Sequence, residues 1–171
     1  MRVYVPLTLP GLAEAYRTGV LGTGSFVAYA VTPELRQWCG SEDLEELEYA
    51  ALGQAALASL RLLAADRSAT PRRVVVAADV PDRAVGTGPD ADAELSELGE
   101  VMVRAEVPLA KAAAVHADAE DAERDVAAAA EALAEADAGD DRELAAVEAA
   151  DHHELLWYAT QEIPNLVRQA A

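Results

Sequence analysis

Histidine and glutamate side chains gather in one short part of the chain. His152, His153 and Glu154 are consecutive, and Glu162 follows the apolar run that comes next. Imidazole and carboxylate groups are common general acids and bases in enzymes, and together with thiolates they are the usual ligands of zinc. With His116 added, one hypothesis is a cleft near His116, His152, Glu154 and Glu162 in which a small molecule would bind or react.

The spacing argues against a zinc site at these positions. Adjacent side chains point in different directions on a strand or a helix, so only one of His152 and His153 could join His116. An acid such as Asp118 or Asp151 would have to complete the ligand set. Solvated histidines beside a buried strand explain the same pattern with fewer requirements. We therefore predict no metal and no other cofactor, and the sequence assigns no catalytic residue.

No local motif supplies a stronger candidate. The glycine-rich LGTGSF precedes a predicted strand and lacks the lysine of a phosphate-binding loop, and GTGPD lies in an acidic segment. No G-x-S-x-G turn is present. Cys39 is the single cysteine and is expected to be a small buried apolar group. Arg72 and Arg73, with Arg36, would form a basic spot or pair with neighbouring acids.

The elements that position these side chains follow from the apolar periodicity. A short strand is predicted around His116, and other strands at 2–8, 25–32, 72–80, 99–109 and 155–160. Helices are predicted at 11–17, 33–38, 41–66 and 118–137, with a terminal helix that carries Pro164 in its first turn. Because both faces of 155–160 are apolar, we expect a central strand that buries Leu156 and Trp157.

The strongest helical signal covers 41–66. Ser41 can cap its start, and acids in the first turn favour the helix dipole. No charge occurs between Tyr49 and Leu60, and the leucines spread over more than half of the helical wheel, with Leu57 farthest from the main face. Such a helix is either a central element of the fold or half of a protein interface. The pattern favours packing of this helix inside the fold. Part of its surface, within 43–65, could in addition contact another protein or a second copy of the chain in a weak homodimer.

The order of elements mixes hairpins with crossover connections. This order indicates an α+β or α/β fold, a two-layer sandwich of a mixed sheet packed by several helices. At 171 residues the chain fits one domain, 1–171. Residues 81–98 combine glycine, proline and acids with little periodicity, so we expect a mobile acidic loop there.

The chain is strongly acidic. Thirteen basic residues stand against 31 acidic ones, which gives a formal net charge of −18. A field of this sign repels phosphate backbones and anionic lipids, so nucleic-acid and membrane binding are not expected. Solubility explains the charge most simply. Because the first residues contain no long apolar stretch of a secretory signal and only one cysteine is present, the sequence predicts a cytoplasmic protein.

Four segments carry a resemblance to a known family. VYVPLT near the start, ELEYAAL, RRVVVAADVP and ELLWYATQEIPNL are similar to a family of short actinobacterial proteins that form a domain of unknown function. The resemblance covers nearly the whole chain. The high alanine, arginine and aspartate content is also similar to that of proteins from GC-rich actinobacterial genomes. The resemblance implies no activity, cofactor or site residue.

Three functions are compatible with the sequence. A non-enzymatic cytoplasmic domain that binds or regulates another protein is favoured, because the apolar helix and the acidic surface occur without a catalytic motif. One alternative is a small-molecule-binding protein or an enzyme that uses the cleft named above. The other is an acidic mimic of a nucleic acid, which would bind a basic protein.

Overall fold

The computed structural model describes residues 1–86, 98–135 and 141–169. The strands in these ranges are β1 (Arg2–Leu7), β2 (Val20–Leu21), β3 (Phe26–Tyr29), β4 (Val74–Asp79), β5 (Val85–Gly86), β6 (Glu100–Val103), β7 (Val107–Pro108), β8 (Ala112–Ala117) and β9 (Leu156–Tyr158). The α-helices are α1 (Leu9–Thr18), α2 (Pro33–Cys39), α3 (Leu44–Ala65), α4 (Glu123–Glu135), α5 (Asp141–Asp151) and α6 (Ile163–Arg168). Each predicted strand and helix is found, and the strand predicted at 99–109 is divided into β6 and β7.

Seven of the strands form one sheet in the order β5-β6-β3-β1-β4-β8-β9, and β2 pairs with β7 in a separate small sheet. β1 and β4 pair along their full length, from Arg2 opposite Asp79 to Leu7 opposite Val74. The predicted α+β class is confirmed. The sequence indicated a mixed sheet, but all strand pairs in the described chain are antiparallel.

The alternation of side chains along β1 divides the core between the two faces of the sheet. Val3 and Val5 are buried on one face with residues of α1 and α6, and Tyr4 is buried on the other face with residues of α3. Helices therefore cover both faces, which makes three layers where the sequence indicated two. A third buried cluster joins α3 to α4 and α5, and it includes Leu60, Leu63, Val126, Ala129 and Ala150.

α3 contacts the three strands β1, β3 and β4 and the helices α2 and α4. Its N-cap is Asp43 rather than Ser41, and the Asp43 carboxylate accepts hydrogen bonds from two backbone N–H groups at 2.9 and 3.3 Å. Between residues 47 and 60, Tyr49 and Gly53 are the exposed positions. Neither α3 nor any other helix in the described ranges is long and apolar enough to cross a membrane.

β9 is an edge strand, and the prediction that it is central is wrong. It pairs only with β8, where Trp157 lies opposite His116. Leu156 is 45% exposed and Trp157 is 64% exposed. The apolar pattern gives the polarity of the two faces of a strand, but it does not show how many strands lie beside it. A run that is apolar on both faces therefore looks the same at the edge as at the centre.

The predicted acidic loop at 81–98 lies mostly outside the described residues. Before the gap, the chain makes a single helical turn at Asp82–Ala84 and then forms β5. After the gap, Leu98 and Gly99 lead into β6. The mobility expected of this loop stays a prediction for 87–97.

Candidate functional site

A buried ion pair joins the ends of two neighbouring strands. Arg73 and Asp118 are 2% and 0% exposed. Their side chains form a fork, with Arg73 Nε donating to Asp118 Oδ2 and Nη2 donating to Oδ1, each at 2.9 Å. The backbone N–H of Arg73 also donates to Oδ2 at 2.7 Å. Two parallel charge-assisted bonds compensate the loss of hydration that burial imposes on both charges.

The register of β4 and β8 brings this pair together. Val74 lies opposite Ala117, so Arg73 and Asp118, which stand just outside the two strands, are neighbours. The N–H of Asp118 donates to the carbonyl of Arg73 at 3.1 Å, which extends the ladder by one step. Because 45 residues separate the two side chains along the chain, only the assembled sheet creates the pair.

Arg73 also holds the turn that follows α5. Its Nη2 donates to the carbonyls of Ala150 and His153 at 2.9 Å each, and its Nη1 donates to Asp151 Oδ1 at 3.1 Å. The His153 ring extends this network to α4, with Nε2 at 2.7 Å from Asp125 Oδ2. One buried guanidinium therefore positions the segment that leads from α5 into β9.

This anchored turn forms one wall of a cleft of about 460 Å³, and α3 forms the other. Residues that line it include Tyr49, Gly53 and Leu57 from α3, Trp38 from α2, Val147 from α5, and Glu154 and Leu155 from the turn. Trp38 and Tyr49 are each 67% exposed. The cleft has the size of known ligand sites, which occupy roughly 300–1,000 Å³.

Glu154 contributes an exposed carboxylate to the cleft. Its side chain is exposed, and it makes no hydrogen bond or ion pair within the described part of the chain. The backbone on both sides is fixed, because Arg73 binds the carbonyl of His153 and the side chain of Leu155 packs against the core. Glu154 therefore presents an unpaired carboxylate from a rigid backbone.

A family model matches residues 1–167 of the chain. The chain belongs to the family of unknown function (DUF6912). The expected resemblance to a family without an assigned activity is thereby confirmed. No curated protein and no solved structure matches the chain. The function of this DUF6912 chain has to be inferred from its own geometry.

The four predicted site residues of the DUF6912 chain do not meet in one cleft. Of the four, only Glu154 lines the cleft. His152 is exposed in the turn after α5. The Glu162 carboxylate accepts a hydrogen bond from the Ala159 N–H at 2.8 Å, because it caps the helical turn that follows β9. His152 precedes β9 and Glu162 follows it, so both are polar residues that flank this strand.

His116 lies on β8, apart from the residues that line the cleft. It stands opposite Val75, which packs with α3, so its half-buried side chain lies on the same face of the sheet as α3. Burial is the main cause of a pKa below its ordinary value of 6.5, and the nearby Arg2 guanidinium lowers the pKa further. The described residues contain no group of three or more His, Cys, Asp or Glu side chains that could hold a metal ion.

Trp38, Tyr49 and Arg73 line the cleft, although the sequence does not predict them as site residues. One signal exists for Arg73, since a charge directly before three valines has to find a partner when the strand is interior. The expectation that Arg73 pairs with acids is confirmed, but the pair is buried and not on the surface. No such signal exists for the two aromatic residues, because an exposed patch is defined only by its neighbours in space.

Proposed function

We propose that this chain is a non-enzymatic binding domain whose cleft receives an apolar segment of another protein. The observation that carries the proposal is the pair of aromatic residues Trp38 and Tyr49, each 67% exposed on a largely apolar cleft. Exposed aromatic groups on a concave surface are typical of interaction sites, where Trp and Tyr contribute much of the binding energy.

The shape of the cleft suits a segment of polypeptide. Its α3 wall extends from Tyr49 to Leu57, which is about 12 Å at a helical rise of roughly 1.5 Å per residue. This length corresponds to about two turns of a bound helix. The opposite wall is held in place by Arg73, so the cleft exists before any ligand arrives. A preformed apolar groove matches the mode of recognition in which an amphipathic helix lies between two elements of its partner.

A second copy of this chain is another occupant, and it would form the weak homodimer expected through 43–65. Such a dimer would use the same cleft, since Tyr49 and Gly53 are the exposed positions in the middle of α3. The formal charge of −18 on each copy opposes self-association, so we favour a different and less acidic partner. An actinobacterial origin and a cytoplasmic location are part of this proposal.

Gly53 permits a test that separates binding from folding. A β-carbon at this position would meet no atom within 4 Å. Glycine is also unfavourable inside a helix, by roughly 0.5–1 kcal/mol relative to alanine. We therefore expect Gly53→Leu to fill part of the cleft without loss of stability. Ala128→Leu is the matched control, because it places the same side chain at an exposed position of α4 outside the cleft.

The two variants and the wild type are immobilised and incubated with an extract of the source organism. We expect one protein to be retained by the wild type and by Ala128→Leu and to be lost with Gly53→Leu. A photo-crosslinking residue at position 53 should then join to one contiguous apolar segment of that protein. Equal retention by all three chains would place binding outside the cleft and contradict the proposal.

The remaining candidates give different results in the same preparations. A small molecule that native mass spectrometry detects on the wild type, and not on Gly53→Leu, would favour the small-molecule alternative. A dimer that Gly53→Leu converts to a folded monomer in sedimentation would identify the second copy as the occupant. Capture of nucleic-acid-binding proteins that Gly53→Leu still retains would favour the acidic mimic.

A further inference from the structure

The charged groups around the cleft are acidic in sum. The guanidinium of Arg73 is the one permanent cation among the lining residues, and it is already bound by the carboxylates of Asp118 and Asp151. Glu154 adds a third carboxylate that has no cation beside it in the described chain. A cationic group from a ligand would therefore reduce the local excess of negative charge, and an anionic group would meet repulsion.

Among these carboxylates, that of Glu154 is best placed to bind a ligand. Asp118 is fully buried, and Asp151 accepts a hydrogen bond from Arg73. The exposed carboxylate of Glu154 keeps its full hydrogen-bonding capacity. A lysine ammonium or an arginine guanidinium is the partner that a carboxylate binds with the strongest hydrogen bonds.

The exposed rings of the cleft favour the same sign of charge. The face of an aromatic ring is negative, so it attracts an ammonium or guanidinium group that lies over it. Trp38 and Tyr49 both present such rings, and tryptophan is the better of the two for this contact. The net charge of −18 adds a long-range attraction that accelerates the encounter with a basic partner.

We infer that the partner segment is amphipathic and basic. Its apolar side chains cover the α3 wall, and one lysine or arginine side chain is bound by the rings of Trp38 and Tyr49 and by the carboxylate of Glu154. This inference rests on the proposed function, since it requires that the cleft be the binding site. It adds the chemistry of the partner, which an apolar cleft alone does not define.

Three small probes test the preference for charge. 3-Phenylpropylamine, 3-phenylpropanol and 3-phenylpropionate share a ring and a linker and differ in charge. Binding is followed by tryptophan fluorescence in a Trp157→Phe background, where Trp38 is the one remaining tryptophan of two. We expect the amine to bind most tightly and the acid least tightly. In Glu154→Gln the dissociation constant of the amine should rise about 2- to 5-fold, while that of the alcohol stays the same.

A matched control variant makes the outcome decisive. Glu106→Gln removes an exposed charge that does not line the cleft, and it should leave amine binding nearly unchanged. An equal loss in Glu106→Gln and Glu154→Gln would show that net charge alone attracts the amine, which would overturn the inference. Equal affinity for amine and alcohol, both lost in Gly53→Leu, would overturn it as well but leave the cleft as a binding site. Failure of all three probes to bind would contradict both proposals.

Discussion

The buried carboxylate of Asp118 takes its counter-charge from Arg73, and without Asp118 the buried guanidinium of Arg73 would be left with the exposed carboxylate of Asp151. Arg73→Met keeps a long apolar stem but leaves the Asp118 carboxylate without its cation. We expect the free energy of unfolding to fall by about 3–5 kcal/mol, as for other buried pairs that lose one partner. Urea denaturation followed by circular dichroism measures this loss.

The double variant Arg73→Met/Asp118→Asn tests whether the two residues act as a pair. It removes both charges and keeps a side-chain oxygen that can accept from the backbone N–H of residue 73. Its loss of stability should be smaller than the sum of the losses in the two single variants. An additive result would mean that the two charges are not coupled, contrary to the geometry.

His116 makes the stability of the fold depend on pH. Burial holds the pKa of its imidazole below 6.5 in the folded protein, so the folded state binds this proton less readily than the unfolded chain. The stability that the neutral imidazole contributes is therefore fully present above pH 6.5 and is lost as the pH falls through the folded pKa.

The variant His116→Gln should accordingly show a smaller loss of stability than the wild type on the acid side of pH 6.5. Urea midpoints measured across this range give the slope. His152→Gln, which removes an exposed histidine, serves as the control and should keep the slope of the wild type. If His116→Gln also kept that slope, the acid sensitivity would have to come from other groups.

At the scale of the elements, the position of β9 at the sheet edge limits what its side chains contribute. Trp157 is 64% exposed, so Trp157→Ala should lower the free energy of unfolding by about 1 kcal/mol or less, against roughly 3–5 kcal/mol for a buried tryptophan. Leu60→Ala in the core of α3 is the comparison, with an expected loss of about 2–5 kcal/mol. Equal losses in thermal or urea unfolding would mean that another chain covers β9 in solution.

The strands β4 and β9 show which part of the fold the sequence predicts. Both are short apolar runs, and in both cases the presence of a strand follows from the pattern. β4 lies between two neighbours and β9 has one, because pairing is decided by segments far away in the chain. The candidate site depends on the same long-range information. The cleft assembles Trp38, Tyr49 and Glu154 from three separate segments, and no local pattern in any of them shows that they meet.

At the scale of the whole molecule, the charge of −18 should make stability depend on salt. Like charges repel one another across the surface, and sodium chloride screens this repulsion. We expect the melting temperature to rise with ionic strength in calorimetry at constant pH. The destabilisation caused by Arg73→Met should change little over the same range, because a buried pair is screened much less. A melting temperature that falls with salt would show that attractive surface pairs outweigh the repulsion.

The strand order also determines when the protein can fold as it leaves the ribosome. Arg2 of β1 binds Asp79 of β4, 77 residues later, and Arg73 finds its acceptors at Ala150 and His153 another 77 and 80 residues on. A nascent chain that ends before α5 already contains Asp118, but it lacks the carbonyls of Ala150 and His153 that also accept from Arg73, and the edge of β8 is still open. Such long-range pairings form slowly and leave unpaired edges exposed. The sheet is therefore complete only after β9, the last strand in the chain, has emerged.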